Sequence, residues 1–348
     1  MLKKSKFFIL LVIVGLIISS CTSNVYFQGL RAADVTIPSE IKTVVVVNRF
    51  KPTKENRWKA VVEGIFTGEM IGADREGAEN ALRSFANTLG LTNRYKVVMA
   101  NYSLEGNGMG FFPEPIAFQD IEKLCNDFNA DAVVAIEAFD SDIGLGAKQE
   151  ERKYTGDDKK EHTKMVWEAR EEVNLTLGWR MYSRKNAAII DEYKMYSRKV
   201  FKSERNTELD AKLSLTNPRN AISTTAMEGG VIYSDRIAPA WITYSRSYYG
   251  HQMGYPQLKQ AKRMVIANDW DNAILLWKSL LLRGNRKLAG RAAYNIAVAY
   301  EIKGDLGASL AWAKKAFEEY HNSMAGNYIY QLNDRIANDQ RLKQQYGN

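Results

Sequence analysis

The run Thr43-Val-Val-Val-Val-Asn48 constrains the fold of this chain more than any other segment. Four consecutive β-branched apolar residues leave no polar side for water, so a strand built from them is buried on both faces. Such a strand belongs inside a sheet that carries helices on both sides. The next segments supply those helices. Ala78, Leu82, Phe85 and Leu89 share one face of a helix expected over 74–89, which Gly90 can end. Tyr95–Met99 reads as a second strand. Phe118, Ile121, Leu124, Cys125 and Phe128 form the apolar stripe of a second helix, over about 117–128, and Ala132–Phe139 is a third strand. The order β-α-β-α-β, with right-handed crossovers, predicts a parallel core packed by helices.

After residue 140 the pattern changes. Residues 148–164 carry eleven charges, six basic and five acidic, and read as a solvated excursion at a hairpin tip. Val173, Leu175, Leu177, Trp179 and Met181 then alternate with Asn174, Thr176 and Arg180. Lys185-Asn186 makes a turn, and a partner strand runs over about 188–201. The sheet is therefore expected to be mixed. Asn217 can cap, and Pro218 suits the first position of, a helix reaching about Ile237. Its Ala226, Gly229 and Gly230 permit close packing on the sheet.

From about Leu258 the periodicity becomes that of paired helices. Asn268-Asp269-Trp270 aligns with Lys303-Gly304-Asp305-Leu306, a repeat of about 36 residues. Trp270, Ala273, Ile274, Trp277, Leu280 and Leu281 follow the first turn at helical spacing. Ser309, Trp312, Ala313, Ala316, Phe317 and Tyr320 follow the second. Two repeats fall short of the three that usually make an independent solenoid. The aromatic connector Trp241–Tyr249, with Tyr255, is expected to cover their ends and give one rigid two-part body. The fold class expected is α/β, with a mixed sheet and flanking helices, followed by an all-α helical-repeat domain.

At the N-terminus Lys3, Lys4 and Lys6 precede an apolar core, Phe7–Ile18, and small residues Ser19 and Ser20 precede Cys21. This is the pattern of a secretory signal. Twelve apolar residues rise only roughly 18 Å as a helix, against the roughly 30 Å of a bilayer's hydrocarbon core. The expected division is a signal peptide at 1–20, a lipidated tether at 21–40 that includes Asn24-Val-Tyr-Phe-Gln-Gly29, an α/β domain at 41–250 and helical repeats at 251–348. Removing three lysines with the signal lowers the formal charge from +8 to +5. The remaining bases are interleaved with acids, which excludes nucleic acid as a partner. With Cys21 acylated, Cys125 has no cysteine to pair with and reads as a small buried hydrophobe.

Several resemblances stand on these residues. Ile18-Ser19-Ser20-Cys21 resembles a bacterial lipobox, which implies acylation of the Cys21 thiol, cleavage before it and attachment to a membrane. Thr22 is not the aspartate associated with inner-membrane retention, which favours the outer membrane of a cell envelope. Ile296, Ala297, Tyr300, Gly304, Ser309 and Ala316 match signature positions of the tetratricopeptide repeat; Ala293 stands where that signature usually has a large aromatic. The whole chain is similar to an uncharacterised family of Gram-negative lipoproteins. Val47-Asn48-Arg49, Asn129-Ala-Asp-Ala-Val-Val134, Gly178-Trp179-Arg180 and Pro239-Ala-Trp-Ile242 carry that likeness. Residues 41–236 are similar at fold level to envelope lipoproteins of curli secretion and of penicillin-binding-protein activation.

Two sets of candidate site residues follow. Arg291, Tyr294, Val298 and Glu301 share the helix face opposite the packing stripe, with Tyr255 and Lys262 in similar places in the first repeat. In tetratricopeptide proteins this face is the groove that holds extended peptides, so a protein or peptide partner is expected there. Glu137, Asp140 and Asp142 cluster at the end of the third strand, and Asn48 and Arg49 end the first. Strand C-termini are where open α/β sheets place ligands. Paired carboxylates there could serve hydrolysis or hold a cation. His162, His251 and His321 have no metal-ligand spacing, and no cofactor or resident metal is expected. Two functions remain open: a non-enzymatic, lipid-anchored envelope scaffold, and an envelope hydrolase or glycan-binding protein using the three acids.

Overall fold

The computed structural model describes residues 22–51, 72–102, 104, 106, 111–185, 187–283 and 285–347. The signal segment, Cys21 and Asn186 of the expected turn lie outside the described residues. In chain order the strands are β1 (Thr22–Arg31), β2 (Thr43–Asn48), β3 (Lys96–Met99), β4 (Ala132–Thr155), β5 (Glu161–Ser183), β6 (Ile189–Arg205) and β7 (Ala240–Tyr249). The helices are α1 (Ala73–Gly90), α2 (Phe118–Asp127), α3 (Glu208–Leu213), α4 (Pro218–Ile237), α5 (Pro256–Ile266), α6 (Trp270–Arg283), α7 (Arg286–Ile302), α8 (Leu306–Glu318) and α9 (Ser323–Tyr346). Among the described residues, 33–240 and 344–347 form an α/β unit, and 22–32 and 241–343 form a helical unit.

The α/β unit is built around β2, in a sheet of order β3-β2-β4-β5-β6. β2 pairs in parallel with both β3 and β4, and β4, β5 and β6 run antiparallel. All four valines of β2 are buried. Val44 and Val46 pack with residues of α1 and α4, including Phe85, Ala226 and Tyr233. Val45 and Val47 pack with Ile121, Leu124 and Cys125 of α2. A strand with no polar face thus receives helices on both faces. Burial pushes the Cys125 thiol up to about 11, so it stays protonated.

Glycine sets the spacing of α4. A Cβ on Gly230 would lie 2.2 Å from the carbonyl oxygen of Ala81, so this residue lets α4 meet the backbone of α1. A Cβ on Gly229 would lie 3.2 Å from the Leu177 side chain, on the sheet. The small-residue face expected to meet only the sheet therefore divides between sheet and helix. Asn217 caps α4 by accepting the Arg219 amide, with Pro218 at the first position, as expected.

The third strand is far longer than the expected Ala132–Phe139. β4 and β5 form a continuous ladder from Ala132↔Ser183 out to Thr155↔Glu161. Residues 148–164 are thus mostly strand and not a loose excursion. Their charges pair along and across the strands: Arg152 meets Glu150 of its own strand, Glu168 of β5 and Glu204 of β6 at 2.6–2.8 Å, and Lys153 meets Glu161 across the ladder at 2.6 Å. Opposite charges facing each other across strands favour pairing, and the polar alternation suits a ribbon wet on both sides. β6 likewise extends to Arg205, beyond the expected end near Phe201.

Glu171 lies farther in along β5, two residues from Val173 on the same face, and is 2% exposed. One of its carboxylate oxygens has no described partner, nor has the hydroxyl of Ser203. Ser203 stands two residues on from Phe201, the register partner of Glu171. Burial pushes Glu171 up to about 7. Burial also pushes Asp74 up to about 6, against the lowering effect of its hydrogen bond from Ser141.

In the helical unit, successive helices pack on one another, with α7 between α6 and α8. The turns before α6 and α8 each contain a left-handed residue, Asn268 at φ 58° and Gly304 at φ 85°. These two residues lie 36 positions apart in the chain. The tether expected over 21–40 is a different structure. Thr22–Arg31 is strand β1, paired with β7 in a two-stranded ribbon. Asn24 meets Ser247, Phe27 stacks on Tyr244 and Gln28 meets Thr243, so residue numbers fall on one strand as they rise on the other, which is antiparallel pairing. The reason lies in the alternation of half-buried Val25, Phe27 and Gly29 with exposed Asn24, Tyr26 and Gln28. Ala32, Ala33 and Ile37 are buried as well. The aromatic connector is β7, and its Tyr248 and Tyr249 pack into the helical core.

Two outcomes are expected. Gly230→Ala forces α1 and α4 apart and costs about 1–3 kcal/mol or more, seen as a lower urea midpoint, whereas Gly90→Ala, whose Cβ meets nothing within 4 Å, leaves the midpoint nearly unchanged. The raised carboxylates of Glu171 and Asp74 make the folded state hold more protons than the unfolded state between about pH 4.5 and 7. Their contribution is therefore present below that window and is lost as pH rises through it. Glu171→Gln reduces the fall in stability between pH 5 and 8 by roughly 1–3 kcal/mol, at about 1.4 kcal/mol per pKa unit; identical pH profiles for parent and variant would contradict this.

Candidate functional site

The strand-end residues of the α/β unit do not come together as one acidic site. A bulge between Ile136 and Ala138 leaves Glu137 without a register partner on β5. Glu137 is 3% exposed. One of its oxygens accepts from Arg49 Nη1 at 2.5 Å and the other from the Tyr182 hydroxyl at 2.5 Å. Asn48 accepts the Phe50 amide and shapes the chain as it leaves β2. Beside Glu137, burial pushes the Tyr182 phenol up to about 12. The carboxylate expected to face a ligand is consumed in an internal network.

That network grips the loop leading into α2. Arg49 Nη2 donates to the Glu114 carbonyl at 3.0 Å, and Arg180 Nη1 donates to the Pro113 carbonyl at 2.6 Å. The Arg180 guanidinium lies 4.7 Å from the centre of the Phe112 ring, and the Lys194 ammonium 4.3 Å from that of Phe111. A Cβ on Gly178 would lie 2.9 Å from Phe112 and 3.0 Å from Phe111, so glycine there admits both rings. Arg180, Tyr182 and Lys194 were absent from the expected site. The segment Gly178-Trp179-Arg180 carried the only hint.

Asp140 and Asp142 are separate from Glu137. They open, with Asn174, Thr176, Tyr196 and Arg198, onto a shallow cavity of about 210 Å³. Among the described residues no group of three or more His, Cys, Asp or Glu side chains is arranged to hold a metal ion.

In the helical unit the expected groove face is covered. Val298 is 0% exposed, Glu301 is 1% exposed and Tyr294 is buried too. The face expected to lie opposite the packing stripe is itself packed: Tyr294 and Val298 share a core cluster with Ala293 and Ala297, and α9 and the β1–β7 ribbon cover it. Asn295 on α7 accepts the Tyr249 amide and donates to the Tyr249 carbonyl, both at 2.8 Å. The helix thus holds main chain of its own unit. Glu301 receives Arg246 of β7 in a two-bonded pair at 2.7 and 2.8 Å, and the Tyr328 hydroxyl of α9 at 2.7 Å. Arg335 lies 3.9 Å from the Tyr244 ring centre and 3.6 Å from Glu301. Tyr255 and Lys262 are half-buried, and neither lines the cavity that receives Arg291.

Arg291 alone of the four reaches an open space. Its guanidinium lies 4.8 Å from the Tyr249 ring centre and donates to Gln252 at 2.8 Å. It lines a cavity of about 440 Å³ together with Arg286, Lys287, His321 and Tyr320. Among the described residues no helix is long and apolar enough to cross a membrane.

The chain belongs to the family described as Domain of unknown function (DUF8603), whose model matches residues 41–249. Residues 259–335 match a second model, Domain of unknown function (DUF6340). No curated protein matches. Two solved structures show slight similarity. A PelC dodecamer from Paraburkholderia phytofirmans is 16% identical, with 62% of this chain and 99% of that chain covered, at a TM-score of 0.23. A putative neuraminyllactose-binding hemagglutinin homolog from Helicobacter pylori is 13% identical, with 59% and 87% covered, at a TM-score of 0.26. Scores this low assign neither fold nor function.

The Arg246–Glu301 pair gives a direct test of how the ribbon is held. Glu301→Gln leaves a buried guanidinium without its counter-charge and costs about 3–5 kcal/mol. The double variant Arg246→Met, Glu301→Leu recovers most of that loss in urea unfolding. Equal loss in single and double variants would show that the pair is not the source of the cost.

Proposed function

We propose that this protein is a non-enzymatic, lipid-anchored scaffold of the cell envelope, held to the outer membrane by acylated Cys21 and binding a partner through its helical unit. One observation carries the reading: strand β1 begins at Thr22, the residue after the lipobox cysteine. A lipid on Cys21 would then hold the ribbon and its helices against the bilayer with almost no spacer. One acyl chain binds a membrane only marginally and two or more hold stably, which suits the multiply acylated cysteine that the lipobox resemblance implies.

The helical unit supports a binding role in two further ways. Its 36-residue recurrence is consistent with tetratricopeptide-like packing. Asn295 already bonds both polar groups of an extended strand residue, the chemistry by which such helices hold peptides. Because the ribbon fills that face, a partner protein would bind at its rim, where Arg291 and the basic cavity remain open. The alternative of a hydrolase or glycan-binding protein needs Glu137, Asp140 and Asp142 together. The engagement of Glu137 by Arg49 and Tyr182 removes support from it.

Metabolic labelling with palmitate tests the anchor. Label enters the parent and not Cys21→Ser, and the variant moves to the soluble fraction. Crosslinking and co-purification from envelopes then recover a specific protein partner with the parent. An unlabelled parent, or no specific partner under crosslinking, would refute the reading.

A further inference from the structure

The cavity at the start of α7 gathers positive charge into one small space. Arg286, Lys287, Arg291 and His321 line it, and no carboxylate does. No described side chain pairs with Arg286 or Lys287, and the acceptor that Arg291 meets, Gln252, is neutral. Arg246, Lys303 and Lys315 of the same unit each meet a carboxylate, of Glu301, Asp271 and Glu319, whereas Arg286, Lys287 and Arg291 converge on one space that no carboxylate lines.

The walls are built and not improvised. A Cβ on Gly290 would lie 2.9 Å from Tyr320, so glycine lets the chain after α8 close against α7. His321 sits at φ 54° in that turn, and Asn322, buried, donates to the Tyr249 hydroxyl at 3.3 Å while its carbonyl oxygen caps α9 at the Met324 amide. Arg291 is held between Tyr249 and Gln252. Two helix starts share the space. Arg286 and Lys287 open α7, ahead of its first intrahelical bond from Ala289 to Asn285, and Ser323 opens α9. Both ends carry positive dipole charge toward the same volume.

We infer that this cavity binds a phosphate group, borne either by a lipid headgroup or by a soluble phosphate ester. Its size and charge select the class. A volume of about 440 Å³ falls within the range of small-molecule sites. Three cations, with the His321 ring beside them, around one small space match a single compact anion with several acceptor oxygens, as a phosphate is. The carboxylates of an extended acidic peptide project alternately to opposite sides and suit a long basic stripe better. The inference rests on the proposed role as a binding protein, and names one ligand of the same rim.

Calorimetric titration of the full chain in a neutral detergent tests it. The probes are glycerol 3-phosphate and, separately, dihexanoyl phosphatidic acid below its micelle concentration, with octaglutamate as the carboxylate control. Binding of either phosphate probe is expected, weakening with salt and by about tenfold or more in Arg286→Gln/Lys287→Gln. The two substituted side chains are exposed, and an unchanged melting curve confirms the fold; His321→Gln gives a second variant on a different element. Binding of both probes assigns the phosphate itself, and binding of phosphatidic acid alone assigns the lipid. Absence of binding, equal binding by the variants, or octaglutamate binding as tightly as the phosphates overturns the inference. Partner capture from envelopes that persists when phosphate binding fails would leave the scaffold role standing, and the reverse would remove that role alone.

Discussion

A carboxylate taken out of water must find both charge and hydrogen bonds, and each unit of this protein is organised around one that does. In the α/β unit Glu137 takes Arg49 on one oxygen and Tyr182 on the other. In the helical unit Glu301 takes both donors of Arg246, and Tyr328 besides. The same three residue types satisfy the same need on unrelated architectures. In each unit the arginine comes from a distant part of the chain, 88 residues away in one case and 55 in the other. These pairs fix the position of irregular or edge segments: the loop carrying Phe111 and Phe112, and strand β7. Removal of one partner is more damaging than absence of both, so such a pair specifies an arrangement more than it adds net stability.

This explains which features were legible beforehand. The β2 valines, the stripe Ala78, Leu82, Phe85 and Leu89, and the alternation from Val173 to Met181 were readable because apolar residues declare the face they bury. Each is buried as expected. Charged residues declare nothing of the kind. Glu137 and Glu301 read as solvent-facing because isolated carboxylates usually are, and their counter-ions lie too far along the sequence to be linked to them. Tyr294 and Val298 held a usable signal: two apolar residues on a supposedly wet helix face call for a cover, and α9 and the ribbon provide it. Thr22–Arg31 held another, since Val25, Phe27 and Gly29 alternate with polar or exposed residues. The long β4–β5 ladder was obscured for the opposite reason. Its outermost rungs, beyond Val166, have no apolar face, and cross-strand charge pairs there are what composition alone reports as a solvated run.

The covered groove changes what kind of binding the helical unit supports. A helix face that holds an extended segment has already used the side-chain donors and acceptors it offers. Here Asn295 spends both its polar groups on Tyr249. Displacing β7 would expose Arg246 and Glu301 to separation and unpair β1, so exchange of this strand for a partner's is strongly opposed. Under the proposed binding role, a partner is therefore left the edge of this face, where Arg286 and Lys287 are exposed.

The edge has a distinct electrostatic character for the same reason. Wherever the helical unit buries a cation it supplies an anion, because an unpaired charge in a low-dielectric setting is costly. The cluster of Arg286, Lys287 and Arg291 breaks that rule only where solvent reaches the side chains. Water tolerates the repulsion among them, but a multivalent anion relieves it, and the relief is largest where the cations cannot move apart. Arg291 cannot, being wedged between Tyr249 and Gln252. Tyr249 is also the residue whose backbone Asn295 fixes and whose hydroxyl Asn322 meets. The ribbon that covers this helix face is therefore the same element that stiffens the basic rim, so the packing that closes one face preorganises the proposed phosphate site.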